Sequence, residues 1–308
     1  MKLPDVRHWL GLDLLHRPGS PARAQPIDPA AAMIRPSPLV VPAPVAGAEE
    51  DNRLWSPARL ELVEALWGDG FQFPGGEGET LRLVKPLGLS AASSLLLVGA
   101  GSGGPPCSVA SDLGAWVTGY ESDRELLDAA TERTLRSKVA KRARIESWDP
   151  EAPHFERGYY HHGLALEPLR EGQLESTFAA LAEGLKPLGH LVVLETVADK
   201  PLDPTDPVVS AWQRLDGRRL DRLPTETGVT RALGRLRFDV RIVEDVTRRH
   251  IRQAVEGWRE AVRGMEQVKP THEEAAQLVK EAELWLLRIR MLRDRSLRLV
   301  RWHAIGTA

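Results

Sequence analysis

Residues Leu95 to Asp123, LLLVGAGSGGPPCSVASDLGAWVTGYESD, decide how the rest of the 308-residue chain is read. The stretch opens with an apolar run, Leu95 to Val98, of the length of a buried strand, and glycines come directly after it. Gly99, Gly101, Gly103 and Gly104 permit a tight turn and a close approach of the backbone to a ligand. Pro105 and Pro106 suit the first turn of a helix, where a missing N–H costs little, and Cys107 to Leu113 continue it. A second strand, Trp116 to Tyr120, ends in Glu121, an acid placed to accept from both hydroxyls of a ribose. Glycines and acid together point to a nucleotide-like ligand rather than to a plain strand-turn-helix.

Two ligand classes fit this loop. Gly99, Gly101 and Gly104 satisfy G-x-G-x-x-G with Glu121 near the distance expected of a dinucleotide site, so an NAD(P)-dependent oxidoreductase is one reading. The other rests on the sequence beyond Glu121. Ser122 and Glu125 read as a capping box for a helix running to about Ser137, and Ala143 to Glu146 as a third strand. Tyr159 to Leu166, YYHHGLAL, reads as a fourth strand. Leu174, Phe178, Leu181 and Leu185 recur at helical spacing, and Leu191 to Val197 forms a fifth strand. Alternation of this kind predicts an α/β fold, a Rossmann-like doubly wound sheet, mostly parallel, with ligands beyond the carboxyl ends of its strands. Phe238 to Val243 and Leu297 to Ile305 read as late strands, separated by helices at about 247–267 and 271–293, a helical insertion before the last strand.

Before this domain, residues 18 to 47 hold eight prolines and many alanines, so residues 1–51 read as an N-terminal arm or linker, with a short amphipathic helix at Leu3 to Leu15. Ser56-Pro57 opens the first helix of the domain, 52–308. Composition sets the remaining bounds. Hydrophobic residues make up 42%, enough for a core, and Cys107 is the single cysteine, which excludes a disulfide framework or zinc cluster and suits a cytoplasmic protein. No run approaches a membrane span of ~20 apolar residues. Net charge is −2, but residues 214 to 301 carry 21 Lys+Arg against 14 Asp+Glu. Interleaved acids favour a solvated helical surface over a nucleic-acid face there.

VGAGSGG resembles the first motif of the class I S-adenosylmethionine (SAM) methyltransferases, and GYESDRELL resembles their second-strand acid and following helix. The helix, Lys-Pro-x-Gly turn and strand ending in KPLGHLVVLETV are similar to the same enzymes. FQFPGGEGETLRLVKPLGL, residues 71 to 89, resembles the Gly-Gly-x-x-x-Thr approach segment of the phosphoethanolamine type, and FDVRIVEDVTRRHIRQAVEGW a late strand and helix of phosphoethanolamine and quinone methyltransferases. This resemblance implies SAM as cofactor, a small-molecule methyl acceptor, and methyl transfer that needs alignment more than acid–base chemistry. It implies that Gly99, Ala100, Gly101, Ser102 and Gly103 approach the methionine and ribose, that Glu121 and Ser122 hold the ribose, and that Trp148 and Asp149 meet the adenine. Gly75, Gly76 and Thr80 would help cover it.

His161 and His162 are weak candidates for a general base, on the expectation that they join the glycines at one rim. Residues 200–235 and 247–293 are expected to border the acceptor. One position departs from the family: the first strand usually carries an acid two places before the first glycine, and here that residue is Leu97. A non-catalytic methyltransferase-fold binding module therefore stays open beside the enzyme.

Overall fold

The computed structural model describes residues 54–265 and 271–307, nearly all of a compact unit spanning Leu54 to Ala308. The expected arm, 1–51, and the helix at Leu3 to Leu15 lie outside the described residues. The glycine-rich stretch folds as its sequence predicts. Strand β1, Ser94–Val98, enters the turn, and helix Gly104–Leu113 leaves it with Pro105 and Pro106 in its first turn. Two helices precede them, α1 at Pro57–Trp67, capped by the Ser56 side chain, and α2 at Gly76–Val84, so the Gly104–Leu113 helix is α3. Helix α2 begins four residues before the expected Thr80, because Gly75 in the left-handed region starts it, and it buries Leu83 where Leu81 was expected.

Onward run β2 (Trp116–Glu121), α4 (Arg124–Arg136), β3 (Ala143–Ser147), β4 (Tyr160–Leu166), α5 (Leu174–Gly184) and β5 (Leu185–Val197). Helices α6 (Pro207–Asp216) and α7 (Glu226–Arg235) then lead to β6 (Phe238–Asp245), and α8 (Thr247–Met265) and α9 (His272–Arg293) to β7 (Arg298–Gly306). Caps explain several boundaries. Asp123, not Ser122, caps α4, its carboxylate accepting from Glu125 and Leu126 N–H, and this frees Ser122 to donate to Glu171 at 2.6 Å. Thr271 and Glu274 form the expected capping box of α9.

The seven strands form one sheet in the order β3-β2-β1-β4-β5-β7-β6. β1 to β5 pair in parallel, whereas β7 lies antiparallel between β5 and β6. The order reverses between β1 and β4, and that reversal leaves a crevice at the carboxyl ends. Two apolar clusters hold the layers. One includes Leu96, Phe178, Leu181, Val193 and Trp302; the other includes Leu95, Leu97, Val109, Leu164 and Val192. Adjacent residues of β1 alternate between the clusters, as a strand covered on both faces requires. A third cluster, with Trp67, Phe71, Trp258 and Trp285, ties α1 to α8 and α9 over the carboxyl ends. Among the described residues no helix is long and apolar enough to cross a membrane.

Candidate functional site

At the reversal between β1 and β4 lies a cavity of about 1030 Å³, counting its open mouth. Gly99 and Gly101 form part of its wall, with φ of +82° and +57°. A Cβ on Gly99 would stand 2.3 Å from the Leu166 carbonyl oxygen, so only glycine lets the turn come this near the end of β4. A Cβ on Gly101 would stand 1.7 Å from Gln72 Oε1. Gln72 buttresses the loop: its Oε1 accepts from Ser102 N–H at 2.9 Å and its Nε2 donates to Ser102 Oγ at 2.6 Å.

Glu121 meets this loop from the next strand. Its Oε2 accepts from Gly101 N–H at 2.8 Å and its Oε1 from Ser122 N–H at 2.9 Å and Asp123 N–H at 3.2 Å. The carboxyl is 7% exposed, and burial pushes its pKa up to about 7 against the three backbone donors, with repulsion from Glu171 adding to the rise. Oε1 is filled by its two donors, and Oε2, with one, keeps acceptor capacity for a ligand hydroxyl. Ser122 and Trp148 also line the cavity, the indole lying 6.0 Å from the Phe155 ring.

Other expected contacts lie elsewhere. Ala100 is packed into the apolar core, and Ser102 is buried, donating to Glu64 at 2.5 Å. Gly103 serves packing: a Cβ there would meet the Ala130 backbone of α4 at 2.9 Å. Asp149 is exposed, off the cavity wall, and closes a turn by accepting from Glu151 N–H at 2.9 Å. Gly75, Gly76 and Thr80 stand behind the wall; Pro74 and Glu79 of the same segment line it. Leu97 is 0% exposed within the core cluster, so an acid there would face leucines and valines rather than the cavity.

His161 and His162 are at the opposite end of the sheet, which corrects the expectation of a shared rim. They open β4, His162 pairing in register with Leu95 at the start of β1, so the strand's own direction carries them away from the cavity. His161 Nδ1 accepts from Ser94 N–H at 3.0 Å, and His162 stacks edge-on with His190. Cys107 is buried in the first turn of α3, and burial pushes its thiol pKa up rather than down.

Residues not singled out from the sequence complete the cavity. Glu167, Arg170 and Glu171 come from the segment after β4, Arg249, His250 and Gln253 from α8, and Arg288 from α9. Helices α8 and α9 supply lining residues to the cavity, whereas the 200–235 segment, expected beside them, supplies none. That segment sends Asp216 and Arg218 behind the wall, where Arg218 Nη1 reaches Glu195 Oε1 at 2.8 Å and Nη2 reaches Glu167 Oε1 at 3.1 Å. Burial opposes ionisation of Glu167, yet Arg288, Arg218 and Arg170 outweigh it and hold its carboxyl well below the usual range. Charged residues amid leucine-rich helices read as surface, so nothing in their spacing announced an interior network. Among the described residues no group of histidine, cysteine and carboxylate side chains is arranged to hold a metal ion.

The fold has counterparts among solved structures. Haemonchus contortus phosphoethanolamine N-methyltransferase 2, solved with phosphomonomethylethanolamine and S-adenosylhomocysteine (SAH), superposes with a TM-score of 0.71 at 19% identity, over 81% of this chain and 57% of that one. Geranyl diphosphate C-methyltransferase from Streptomyces coelicolor gives 0.62 at 17% identity, over 86% of this chain and 100% of that one.

The fold is that of the class I SAM-dependent methyltransferases.

In sequence, Phosphoethanolamine N-methyltransferase 2 of Caenorhabditis elegans is 25% identical over 145 residues, 46% of this chain and 33% of that protein. The chain therefore spans a third of that methyltransferase and little more than half of the nematode structure. No protein-family model matches it.

Proposed function

We propose that the chain transfers a methyl group from SAM to a small-molecule acceptor. The observation that carries this reading is the joint placement of Gly99, Gly101 and Glu121 on one cavity wall at the sheet's reversal point. What supports a nucleoside is the backbone of two positive-φ glycines on the wall beside a carboxyl held by three backbone donors and bordering the same space. Sheet topology weighs against the dinucleotide reading, since the usual dinucleotide order runs 3-2-1-4-5-6 without an antiparallel strand inserted before the edge. The methyltransferase relatives share the inserted arrangement's overall fold and are solved with SAH.

When bound, SAM supplies a methyl on a positively charged sulfur. The chain's own residues do the rest by placement. Glu121 receives a ribose hydroxyl at Oε2, Trp148 gives an apolar face to the base, and the backbone of Gly99 and Gly101 borders the rest of the molecule. Across β1, the residues after β4 and those of α8 and α9 hold the acceptor, so the two reactants meet above the ends of β1 and β4. Such fixed alignment is enough for an in-line displacement by a nucleophile with a free lone pair. Trp55, Phe73 and Trp148 add aromatic surface to the cavity wall. The test is transfer of labelled methyl from SAM to small molecules by the purified chain, with Glu121→Ala as the control that impairs cofactor use.

A further inference from the structure

Asp149 stands off the cavity wall, which leaves the polar edge of the base without the partner that sequence position suggested. Which residue meets that edge instead is an inference that rests on the methyl-transfer reading above. Trp148 belongs to a closed corner of contacts. Its backbone N–H donates to the Glu121 carbonyl oxygen at 3.3 Å, and beside Glu121 the Ser122 Oγ donates to Glu171 Oε2 at 2.6 Å. A Cβ on Gly172, the residue after Glu171, would stand 3.3 Å from Cη2 of the Trp148 indole. Glu121, Ser122, Trp148 and Glu171 all line the cavity. Glu171 comes from the segment after β4, yet these contacts hold it at the end of β2, where the ribose and base are received.

The corner is braced from behind. Arg222 donates from Nη1 to the Glu171 backbone carbonyl and from Nη2 to Glu151, and Gln173 Nε2 donates to Glu151 at 2.9 Å. Gly172 N–H closes the turn onto the Pro168 carbonyl at 3.2 Å. Supports of this kind fix a binding group before its ligand arrives. Ser122 occupies one acceptor site of the half-buried Glu171 carboxylate, and Oε1 has neither a donor nor a cation on it among the described residues. An ionised carboxylate can only accept. Adenine offers one donor group on its edge, the 6-amino group, whereas its N3 and N7 accept. Glu121 Oε2 serves the ribose, so the acceptor beside the indole is left for the base.

We propose that Glu171 accepts a hydrogen bond from the 6-amino group of the cofactor's adenine and is the residue by which this chain selects the base. The contact is supplied from the loop after β4, with Ser122 orienting the carboxylate from the end of β2. A base without the amino group would leave that carboxylate facing a C–H edge, and the lost bond is one to a charged acceptor.

The test titrates two ligands into the full chain by calorimetry: SAH, and 6-deamino-SAH, in which hydrogen replaces the amino group. Each is bound to wild type and to Glu171→Ala, which gives a cycle that isolates the one contact. Wild type is expected to prefer SAH by at least about tenfold, and Glu171→Ala to bind the two ligands within about threefold of each other. Equal wild-type affinities overturn the proposal. So does a preference that survives in Glu171→Ala, or a loss in that variant that is the same for both ligands, the result given by a residue that only braces the loop or takes a ribose hydroxyl. Should Glu171→Ala fail to fold, Glu171→Gln keeps the volume with a weaker, neutral acceptor, and an undiminished preference there overturns the proposal equally. Folded wild type that binds neither ligand would instead sink the methyl-transfer reading itself, a separate failure.

Discussion

Gly101 donates its backbone N–H to Glu121 Oε2 at 2.8 Å, so the turn after β1 and the acid ending β2 form one unit before any ligand is bound. The bond fixes the carboxyl at the cavity wall and leaves Oε2 one lone pair for a ligand. Its cost is burial, and burial makes the site sensitive to pH.

Cofactor affinity should follow ionisation of Glu121. Its pKa lies near 7 in the free protein, and the carboxylate form is the better acceptor for ribose hydroxyls. The ionised fraction rises about tenfold between pH 6 and pH 8, so SAH affinity should tighten by up to about that factor over the same range. Calorimetry at the two pH values checks this, and Glu121→Gln should flatten the response. A pH-independent wild type would show that the carboxyl does not take part.

Arg218 should matter more to stability than any exposed arginine. It is 1% exposed among Glu195, Glu167 and Asp216, and its removal leaves buried carboxylates without their cation. Breaking such a network from one side costs about 3–5 kcal/mol. Urea denaturation of Arg218→Met is expected to show a loss of that order, against a change within about 0.5 kcal/mol for Arg219→Met, whose pair with Asp221 is exposed. Equal effects would remove the network from the account.

The histidines away from the cavity make a separate prediction about acid. Burial, followed by His190, His161 and His303, holds the His162 pKa down to about 4, below its ordinary value of 6.5. Its folded pKa is depressed, so the unfolded chain takes up the proton first; stability is full above about 6.5 and falls as pH drops toward 4. Glu121, shifted upward, acts in the opposite sense over part of this window, so the wild-type curve alone is ambiguous. The stability difference between wild type and His162→Gln isolates the histidine. It should move by ~1 kcal/mol in favour of the variant between pH 7.5 and pH 5, after allowance for partial solvent screening. No movement would mean that His162 titrates normally in the folded chain.

The glycine turn, the acid after β2 and the parallel half of the sheet were legible because each rests on local chemistry: φ above zero at Gly99 and Gly101, strand length, and strand-helix alternation. Trp148 was legible by position, but Asp149 was not, because a side chain that closes its own turn looks the same in sequence as one that faces a ligand. His161 and His162 were misplaced by a whole strand length: a residue's letter says nothing of the rim it occupies until strand direction is applied. Glu79, Glu167, Arg249 and Arg288 were unreadable for another reason. Their partners stand up to 174 residues apart in sequence, as in Glu79 and Gln253, and no local pattern encodes such a pairing.

Leu97 gives a test of how the first strand meets the cavity. At 0% exposed within a cluster that includes Leu164 and Val109, an acid there would be buried without a partner instead of reaching the ligand space. Leu97→Asp should therefore lower stability by at least about 3 kcal/mol and leave SAH affinity no better than wild type. Tighter binding in a folded Leu97→Asp protein would show that the strand end opens to the ligand.

Calorimetric titration of the purified full chain with SAH and with NAD⁺, repeated for Glu121→Ala, tests the methyltransferase reading most directly. Hydrogen bonds to a charged acceptor are worth about 1.5–3 kcal/mol, so Glu121→Ala should weaken SAH binding by about ten- to a hundredfold, while wild type binds SAH in preference to NAD⁺. Folded wild type that binds NAD⁺ and not SAH, or binds SAH equally well without the Glu121 carboxyl, would contradict it.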